Sequence, residues 1–576
     1  MYRSLAAAAL LAVSVAGSSP AGAVNLDQPG GGYVNHLYQT VLGRAPDDGG
    51  FAFWVGQYQA YQQNPATGYS LEAIRGFFAG SAEAANYNVS QQIAQYYRDI
   101  LDTEPDAPGL AFWTNEYTSG NRTMANIRAA FVAYSGGAVN AAYQSILRRQ
   151  ADPGGLNFYM GQLGAGSTIA DVKYMLFYSP EHNANFPGDL ASVCDELGPY
   201  SGSSADASSI LQACIDQTPT GGTLWLPRGK YMIAHQIAIT RGMAIITQFM
   251  PSTYPKCLVQ DDPRCAELRA APALQDVGGI VFVNGTPDAA LNLSFDHIVL
   301  NGNKGARAGT YAASRCAAGN ANGYGYNALM GGHNITITNS VSKNALCGTG
   351  LDMGWGNSFV FRNNTVAYNG AHDQPNMWSD GLTVGEGAWA TIANNEIIDN
   401  TDVDLIFGAC QGCVVQSNSI THDNSFSGSS FAAMILHDWP GTTSGNYLGA
   451  DFSGNFIDCV GGPTSSGHRC GFGLLLGSSA WYVSTPHDGY VHDNVINGAQ
   501  QGFSIDGFQP VTIANNYVSE SGGWFATGCG FESLTAYNIT PGTAPPATDP
   551  SETISPDLFS HNYHVGCIPN WWQNPY

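Results

Sequence analysis

The sequence predicts a mainly β chain. Its bulk is a parallel β-helix, a solenoid of stacked coils, which follows an N-terminal all-α domain of helical repeats. Three observations predict this. Between Gly350 and Asp438 short apolar alternations recur: Gly350-Leu351-Asp352-Met353, Ser379-Asp380-Gly381-Leu382-Thr383-Val384, Asp402-Val403-Asp404-Leu405-Ile406-Phe407 and Ala433-Met434-Ile435-Leu436-His437-Asp438. Each of the first three runs into an asparagine-type turn, at Asn363-Asn364, Asn394-Asn395 and Ser417-Asn418. The 576 residues include 70 Gly and only 11% charged residues, which suits a turn-rich β structure and is too long for one ordinary core. Finally, residues 33 to about 186 repeat themselves three times.

Taken in order, residues 1–23 read as a secretory signal. Arg3 is followed by an Ala/Leu/Val run from Leu5 to Val15 and by the small-x-small site Ala21-Gly22-Ala23. The mature chain is expected to begin near Val24, outside the cytoplasm. No later apolar run is long enough to span a membrane.

Residues 24–188 are expected to form the helical repeat domain. Its copies begin Leu37-Tyr38-Gln39-Thr40-Val41-Leu42, Tyr96-Tyr97-Arg98-Asp99-Ile100-Leu101 and Ala142-Tyr143-Gln144-Ser145-Ile146-Leu147. Each reaches a glycine (Gly50, Gly109, Gly155) and then an aromatic pair: Phe53-Trp54, Phe112-Trp113, Phe158-Tyr159. Tyr and Leu at helical spacing, an Asp-rich turn able to cap, and a second aromatic helix make a helix–turn–helix unit. The aromatics are expected in its core. The copies resemble the bacterial domain of unknown function 4214, whose pattern Arg44-Ala45-Pro46-Asp47 matches well. Copy two departs at Thr103 and copy three at Ala151. The resemblance implies extracytoplasmic, often surface-associated proteins, and no chemistry.

Residues 189–530 are expected to form the solenoid, opened by a cap. The apolar face of Ala207 to Ile215 precedes Thr220-Gly221-Gly222-Thr223-Leu224-Trp225-Leu226-Pro227-Arg228-Gly229-Lys230-Tyr231. A helix here covers the raw end of the first coil. Ile210 to Tyr231 resembles the N-terminal cap of the pectate-lyase-like superfamily, which includes polygalacturonases and phage tailspikes, and implies a right-handed parallel β-helix. Past the cap, Asn339, Asn364, Asn395, Asn418, Asn455, Asn494 and Asn516 mark the coils. They are expected to stack as a ladder and to take the left-handed backbone of a tight corner. Residues 531–576, rich in Pro, Thr and Ser, are expected to be an irregular tail.

Alternation orients the strands. It turns Asp352, Asp402, Asp404 and His437 outward and sets Asp352, Asp404 and His437 in one line. Asp380 stands at the mouth of the strand between, and Asp438 follows the histidine. Like-charged carboxylates one coil apart are costly, which needs a reason. Polysaccharide chemistry supplies one: a protonated acid for the glycosidic oxygen and an ionised base for water. The loops 369–379 and 439–451 flank these coils and offer Trp378, Trp389, Trp439, His372 and Asp373 as substrate-binding residues. His422, His333 and His492 read as coil-surface residues, and Glu386 as a second-choice acid.

The order of these acids resembles the polygalacturonase family. Asp380-Gly381 matches the Asp-Gly after its first motif, and Asp402-x-Asp404 stands for Asp-Asp with one residue inserted. His437, or Gly467-His468, stands for the family histidine. The Arg-Ile-Lys motif is absent, and with it the grip on a galacturonate carboxylate, so a neutral or differently charged glycan is expected. Three readings stay open: a secreted glycoside hydrolase, a lyase or uronate epimerase, and a non-catalytic glycan-binding or surface-layer protein attached through its helical repeats. No cofactor is required by the first; Ca²⁺ enters with the second. The net charge of −23, with no basic stripe, argues against nucleic acid as a partner. Twelve cysteines in an exported chain suggest disulfides. Nearest-neighbour pairing gives Cys194–Cys214, Cys257–Cys265, Cys316–Cys347, Cys410–Cys413, Cys459–Cys470 and Cys529–Cys567.

Overall fold

A computed structural model describes residues 31–64, 66–69, 71–186, 193–250, 255–286, 289–319, 323–371, 376–422, 430–459, 470–477, 486–506 and shorter pieces between 508 and 555. The expected signal segment lies outside them. Two compact units emerge, one around residues 34–193 and one from Cys194 onward, with 248–255 grouped with the first.

The first unit is all α. The repeat in its sequence has a steric cause. In each copy an aspartate caps the second helix: Asp47, Asp106 and Asp152 accept the N–H of Gly50, Gly109 and Gly155 at 2.8, 2.7 and 2.9 Å. A Cβ at those glycines would lie 2.1, 2.4 and 2.0 Å from the hydroxyls of Tyr38, Tyr97 and Tyr143. The tyrosine of one helix therefore requires glycine in the first turn of the next, which explains their constant spacing. The aromatic pairs divide. Trp54 is buried, Trp113 and Tyr159 are half-buried, and Phe53, Phe112 and Phe158 are exposed, so of the six the expected core place holds fully for Trp54 alone. Arg44 bonds Glu83 and Asp47, and Arg149 bonds Glu181 and lies 3.5 Å from Asp152. Copy two has Thr103 at this place and pairs Arg98 with Glu104 instead, 2.9 Å.

The second unit is a right-handed parallel β-helix, the sense that twisted strands favour for a parallel crossover. Each coil gives one strand to each of three sheets. The first runs from Thr223–Leu226 to Thr512–Ala514, the second from Gly229–Ile233 to Tyr517–Ser519, and the third from Ile237–Ile239 to Ile554–Ser555. The third sheet thus takes in Tyr537–Ile539 and Ile554–Ser555, inside the stretch expected to be irregular. The cap helix, Ser208–Gln217, buries Leu211 and Ile215 against the first coil and is tied to Cys194 by the Cys194–Cys214 disulfide.

Register makes each inward residue stack on its equivalent one coil away. Ile337, Phe361, Ile392, Val415, Phe452 and Val491 form one column. Val366, Ile397, Ile420, Ile457 and Ile496 form a second. Met353, Val384, Phe407, Leu436 and Leu476 form a third. All are buried in one core. Each such side chain contributes about 1.5–3 kcal/mol, so the columns rather than the short strands hold the coils together.

The corner between the first two sheets separates two roles that the sequence assigns to one asparagine. Asn363, Asn394, Ser417 and Asp493 take the left-handed backbone, at φ 56°, 57°, 56° and 52°. The next residue, Asn364, Asn395, Asn418 or Asn494, points inward. Asn395 Nδ2 donates to Asn418 Oδ1 and to Phe361 O, both at 2.9 Å, and its Oδ1 accepts the Asn364 N–H at 2.9 Å. The ladder continues through Asn455 and Asn494 to Asn516. Asn339 stands outside it, is itself left-handed, and accepts from Asn363. Asn395→Ala leaves buried groups unmatched at about 1–3 kcal/mol each. It is expected to lower the melting of the solenoid by several degrees, and an unchanged thermal transition would show the ladder to be dispensable.

Five of the six nearest-neighbour disulfides are present: Cys194–Cys214, Cys257–Cys265, Cys316–Cys347, Cys410–Cys413 and Cys459–Cys470. Cys529 and Cys567 lie outside the described residues. Among the described residues no helix is long and apolar enough to cross a membrane.

Candidate active site

Four strands of the third sheet carry the candidate site: Gly348–Asn357, Ser379–Ala388, Val403–Gln411 and Ser430–Leu436. On their outer face Asp352 stacks on Thr383, Ile406 and Ile435 in successive coils. Strict alternation would send Asp380 to the core side with Leu382. Two glycines prevent this. A Cβ at Gly381 would lie 2.4 Å from Asp404 O, and one at Gly350 would lie 2.5 Å from Asn369 Nδ2. The backbones pinch together there, and Asp380 stays half-buried at the rim of the sheet.

Three carboxyls from three consecutive coils converge at this rim. Asp380 Oδ1 accepts the Val403 N–H at 3.1 Å, and the Thr383 hydroxyl lies 3.0 Å from Asp380 Oδ2 and 3.0 Å from Thr349 Oγ1. Asp402 is the residue before Val403, and its own N–H donates to Ser379 O at 3.1 Å. Burial pushes the Asp352 carboxyl up to about 7 and that of Asp402 up to about 6. Asp380 is raised well above the carboxylate range, by burial first and then by the charges of Asp402 and Asp352, against the opposing bonds from Thr383 and Val403. Tyr326 faces the same group. Its ring lies against Gly348, where a Cβ would be 2.0 Å from Cε1, and its phenol is raised by burial and by Asp352 and Asp380.

These shifts have a sign for stability. A carboxyl raised in the folded chain contributes fully below its unfolded value, about 4, and the contribution is lost as pH climbs through 6 to 7. Asp352→Asn is therefore expected to stabilise the solenoid by about 1–2 kcal/mol at pH 8, after allowance for partial exposure, and to do little at acid pH. Thermal melts of the two proteins across that range measure it. Equal melting at pH 8 would mean that Asp352 is ionised without strain.

Asp404 does not join the outward line. It is fully buried and reaches His422, whose Nε2 lies 3.0 Å from Asp404 Oδ2. His422 is also buried, not a coil-surface residue. Its Nδ1 lies 3.1 Å from Asp399 Oδ1, and its Nε2 lies 3.1 Å from Ser430 Oγ. Burial disfavours the charged ring, but Asp404 and Asp399 outweigh it and raise His422 to about 10. Asp404 thus lies buried under the rim, while Asp402, two residues earlier, stays half-buried.

His437 leaves the line as well. The register sets Ile435, two residues before it, three coils from Asp352, which puts His437 more than about 14 Å away at ~4.8 Å per coil. It is buried, its ring 4.3 Å from that of Trp439, and burial lowers it to about 3. Asp438 is buried beside it. Glu386 is held by the backbone N–H and hydroxyl of Ser444, at 2.7 and 2.6 Å. His333 accepts the Asn357 N–H, and His492 lies between Asp451 and Asp493.

The expected aromatic platforms differ in place. Trp378 is half-buried on the chain entering the Asp380 strand, and its carbonyl accepts the Gly348 N–H. Trp439 lies over Gly408 on the outer face. Trp389, 59% exposed, covers Gly412 at the far end of the Asp380 strand. That is up to about 30 Å along the chain at ~3.3 Å per residue. His372, Asp373, Gly467 and His468 lie outside the described residues. Sequence reasoning missed Tyr326, Thr349, Thr383 and the burial of His422; counting one coil on from Asp399 would have reached His422.

Among the described residues the groupings with metal-ligand spacing are Cys194, Glu196 and Cys214, and Cys257, Asp262 and Cys265. In both, the two sulfurs are joined to each other.

No curated protein matches the sequence. Among solved structures, the chain is similar to the A-module of the mannuronan C-5 epimerase AlgE6 of Azotobacter vinelandii, at 13% identity and TM-score 0.37, over 62% of this chain and 87% of that one. It is also similar to a hyperthermoactive exopolygalacturonase of Thermotoga maritima, at 11% identity and TM-score 0.37, over 63% and 92%. A third likeness is to PfbA, a surface adhesin of Streptococcus pneumoniae, at 12% identity and TM-score 0.32, over 60% and 94%. These likenesses carry no argument about the reaction. The model of the domain of unknown function DUF4214 matches residues 25–65 and 138–186, the first and third of the helical repeats.

Proposed function

We propose that the chain is a glycoside hydrolase acting on an extracellular polysaccharide, with Asp352, Asp380 and Asp402 dividing the acid and base roles. The observation that carries this is the meeting of three carboxyls with raised proton affinity at one half-exposed point of the outer face. Asp380 and Asp402 titrate as a pair that gives up its protons in two steps. In this reading Asp380, raised by burial and by its acidic neighbours, supplies the proton for the glycosidic oxygen, and a neighbouring carboxylate takes one from water or attacks the sugar. Trp378 beside the rim and Trp439 further along the face are the nearest stacking surfaces for sugar rings. Five disulfides favour an oxidising compartment outside the cytoplasm. The helical repeats are read as a module that attaches the enzyme to the cell surface.

The test is depolymerisation of a glycan panel by the purified mature protein. New reducing ends and the ultraviolet absorbance of unsaturated uronate are followed together, with and without EDTA. Reducing ends without absorbance, insensitive to EDTA, are expected. Absorbance rising with the ends and lost in EDTA would replace hydrolysis by calcium-assisted β-elimination. Binding without cleavage would leave a glycan-binding solenoid.

A further inference from the structure

The corner between Ile398 and Val403 carries Asp402 at its apex and ends in two buried aspartates, Asp399 and Asp404. One ring touches both ends. His422 belongs to the next coil, directly below Asp399, since Ile398 pairs with Thr421. Its two nitrogens lie 3.1 Å from Asp399 Oδ1 and 3.0 Å from Asp404 Oδ2. A neutral imidazole has one N–H and would turn a lone pair toward one of these carboxylates. Both contacts are favourable only when the ring carries two protons.

We infer that His422 is a positioning residue, a buried imidazolium that staples the two ends of the Asp399–Asp404 corner and so aims the acids above it. This rests on the hydrolase reading of that rim. The mechanical path is short. Asp404 Oδ1 accepts from Asn400 Nδ2 at 3.0 Å, and Asn400 Oδ1 accepts from Asn369 Nδ2 at 2.7 Å. The Thr401 hydroxyl donates to Asn369 O at 3.0 Å and accepts the Ser379 N–H at 3.0 Å. The corner is thereby tied to the coil before it at the residue preceding Asp380. Its last amide before Asp404, Val403 N–H, is the donor that holds Asp380 Oδ1. One ring thus sets the place of Asp402 directly and of Asp380 through one hydrogen bond.

The groups facing the ring are of one sign. Asp399 and Asp404 meet its nitrogens, and Ser430 Oγ shares Nε2. Asp458, in the following coil, gives its carbonyl to the His422 N–H and its carboxylate to Asn497 at 3.2 Å. Among the described residues, the two ends of the corner are the carboxylates that meet the ring nitrogens.

The full chain is compared with His422→Gln and with the milder Asp399→Asn, which leaves the ring one partner and keeps the test alive if the first variant does not fold. Amide exchange over residues 399–404 is followed by mass spectrometry, alongside the pH dependence of reducing-end release from the glycan that the wild type cleaves. Exchange at the corner is expected to rise about tenfold or more while residues 414–418 keep their protection. The limbs of the pH profile are expected to move by about half a unit or more, because a nearby positive charge is lost or displaced. Unchanged exchange at 399–404 overturns the staple. Faster exchange with an unmoved pH profile and unmoved kcat makes His422 merely structural and overturns the positioning role. Faster exchange in a protein whose wild type cleaves nothing supports the staple and fails only the hydrolase reading.

Discussion

Asp380→Asn is expected to lower turnover by about 10³-fold, within the range that a positioned acid or base contributes. The expected change lies in kcat rather than KM, because the lost proton is needed only as the glycosidic bond breaks. The substitution preserves shape: its carbonyl oxygen can still accept the Val403 N–H, while its amide nitrogen becomes a donor toward the Thr383 hydroxyl in place of the acceptor lost there. It also removes the carboxyl most penalised by burial and by Asp402. The variant should therefore melt no lower than the wild type at pH 8, and higher if Asp380 is ionised there. A dead and stable enzyme marks a catalytic group. Wild-type turnover in Asp380→Asn would remove this carboxyl from the mechanism and shift the acid role to Asp352, whose carboxyl is pushed up to about 7.

Asp404→Asn should show chiefly in the fold: an unstable solenoid, with a smaller loss of turnover in the molecules that remain folded because one end of the corner is released. Breaking a buried pair by neutralising one partner costs about 3–5 kcal/mol, because the other charge stays in the core. Here the remaining charge is His422, fully buried with Asp399 as its second partner. A histidine raised to about 10 contributes its stability below its unfolded value, about 6.5, and loses it as pH rises through 10. The gap between wild type and variant should be full at pH 6, shrink as pH rises above about 6.5 and be lost by about pH 10. Denaturant unfolding followed by the aromatic signal of the solenoid measures it. A variant as stable as wild type at pH 6 would mean that the Asp404–His422 contact holds nothing. Both aspartates adjoin Asp402, Asp380 through the Val403 N–H and Asp404 two residues further along the chain, yet one answers chiefly in rate and the other chiefly in stability.

The sequence by itself determined the architecture. A solenoid repeats one local solution, so its signals repeat: inward apolar residues at period two, an inward asparagine at each coil, a cap motif at the open end, and cysteines close enough to pair with their neighbours. The tyrosine–glycine spacing of the helical repeats is of the same kind, since one hydroxyl in van der Waals conflict with one Cβ is reproduced in every copy. These features depend on residues a few positions apart or at the same place in the next coil.

Only the tertiary structure decided which acids share a site. Alternation assumes an unbroken pleat; at the close approach around Gly350 and Gly381 Asp380 stays at the rim, and Asp404 is buried on Asn400 and His422. The partner that holds Asp404, His422, comes from the following coil, and the chain between them passes through a full corner and two strands. His437 sits on the expected side of its strand but too many coils away to share a proton with Asp352. Each of these outcomes turns on a bend or a cross-coil contact. A bend changes which face a side chain takes, while a pattern of residue types records only the order in which they follow one another along the chain.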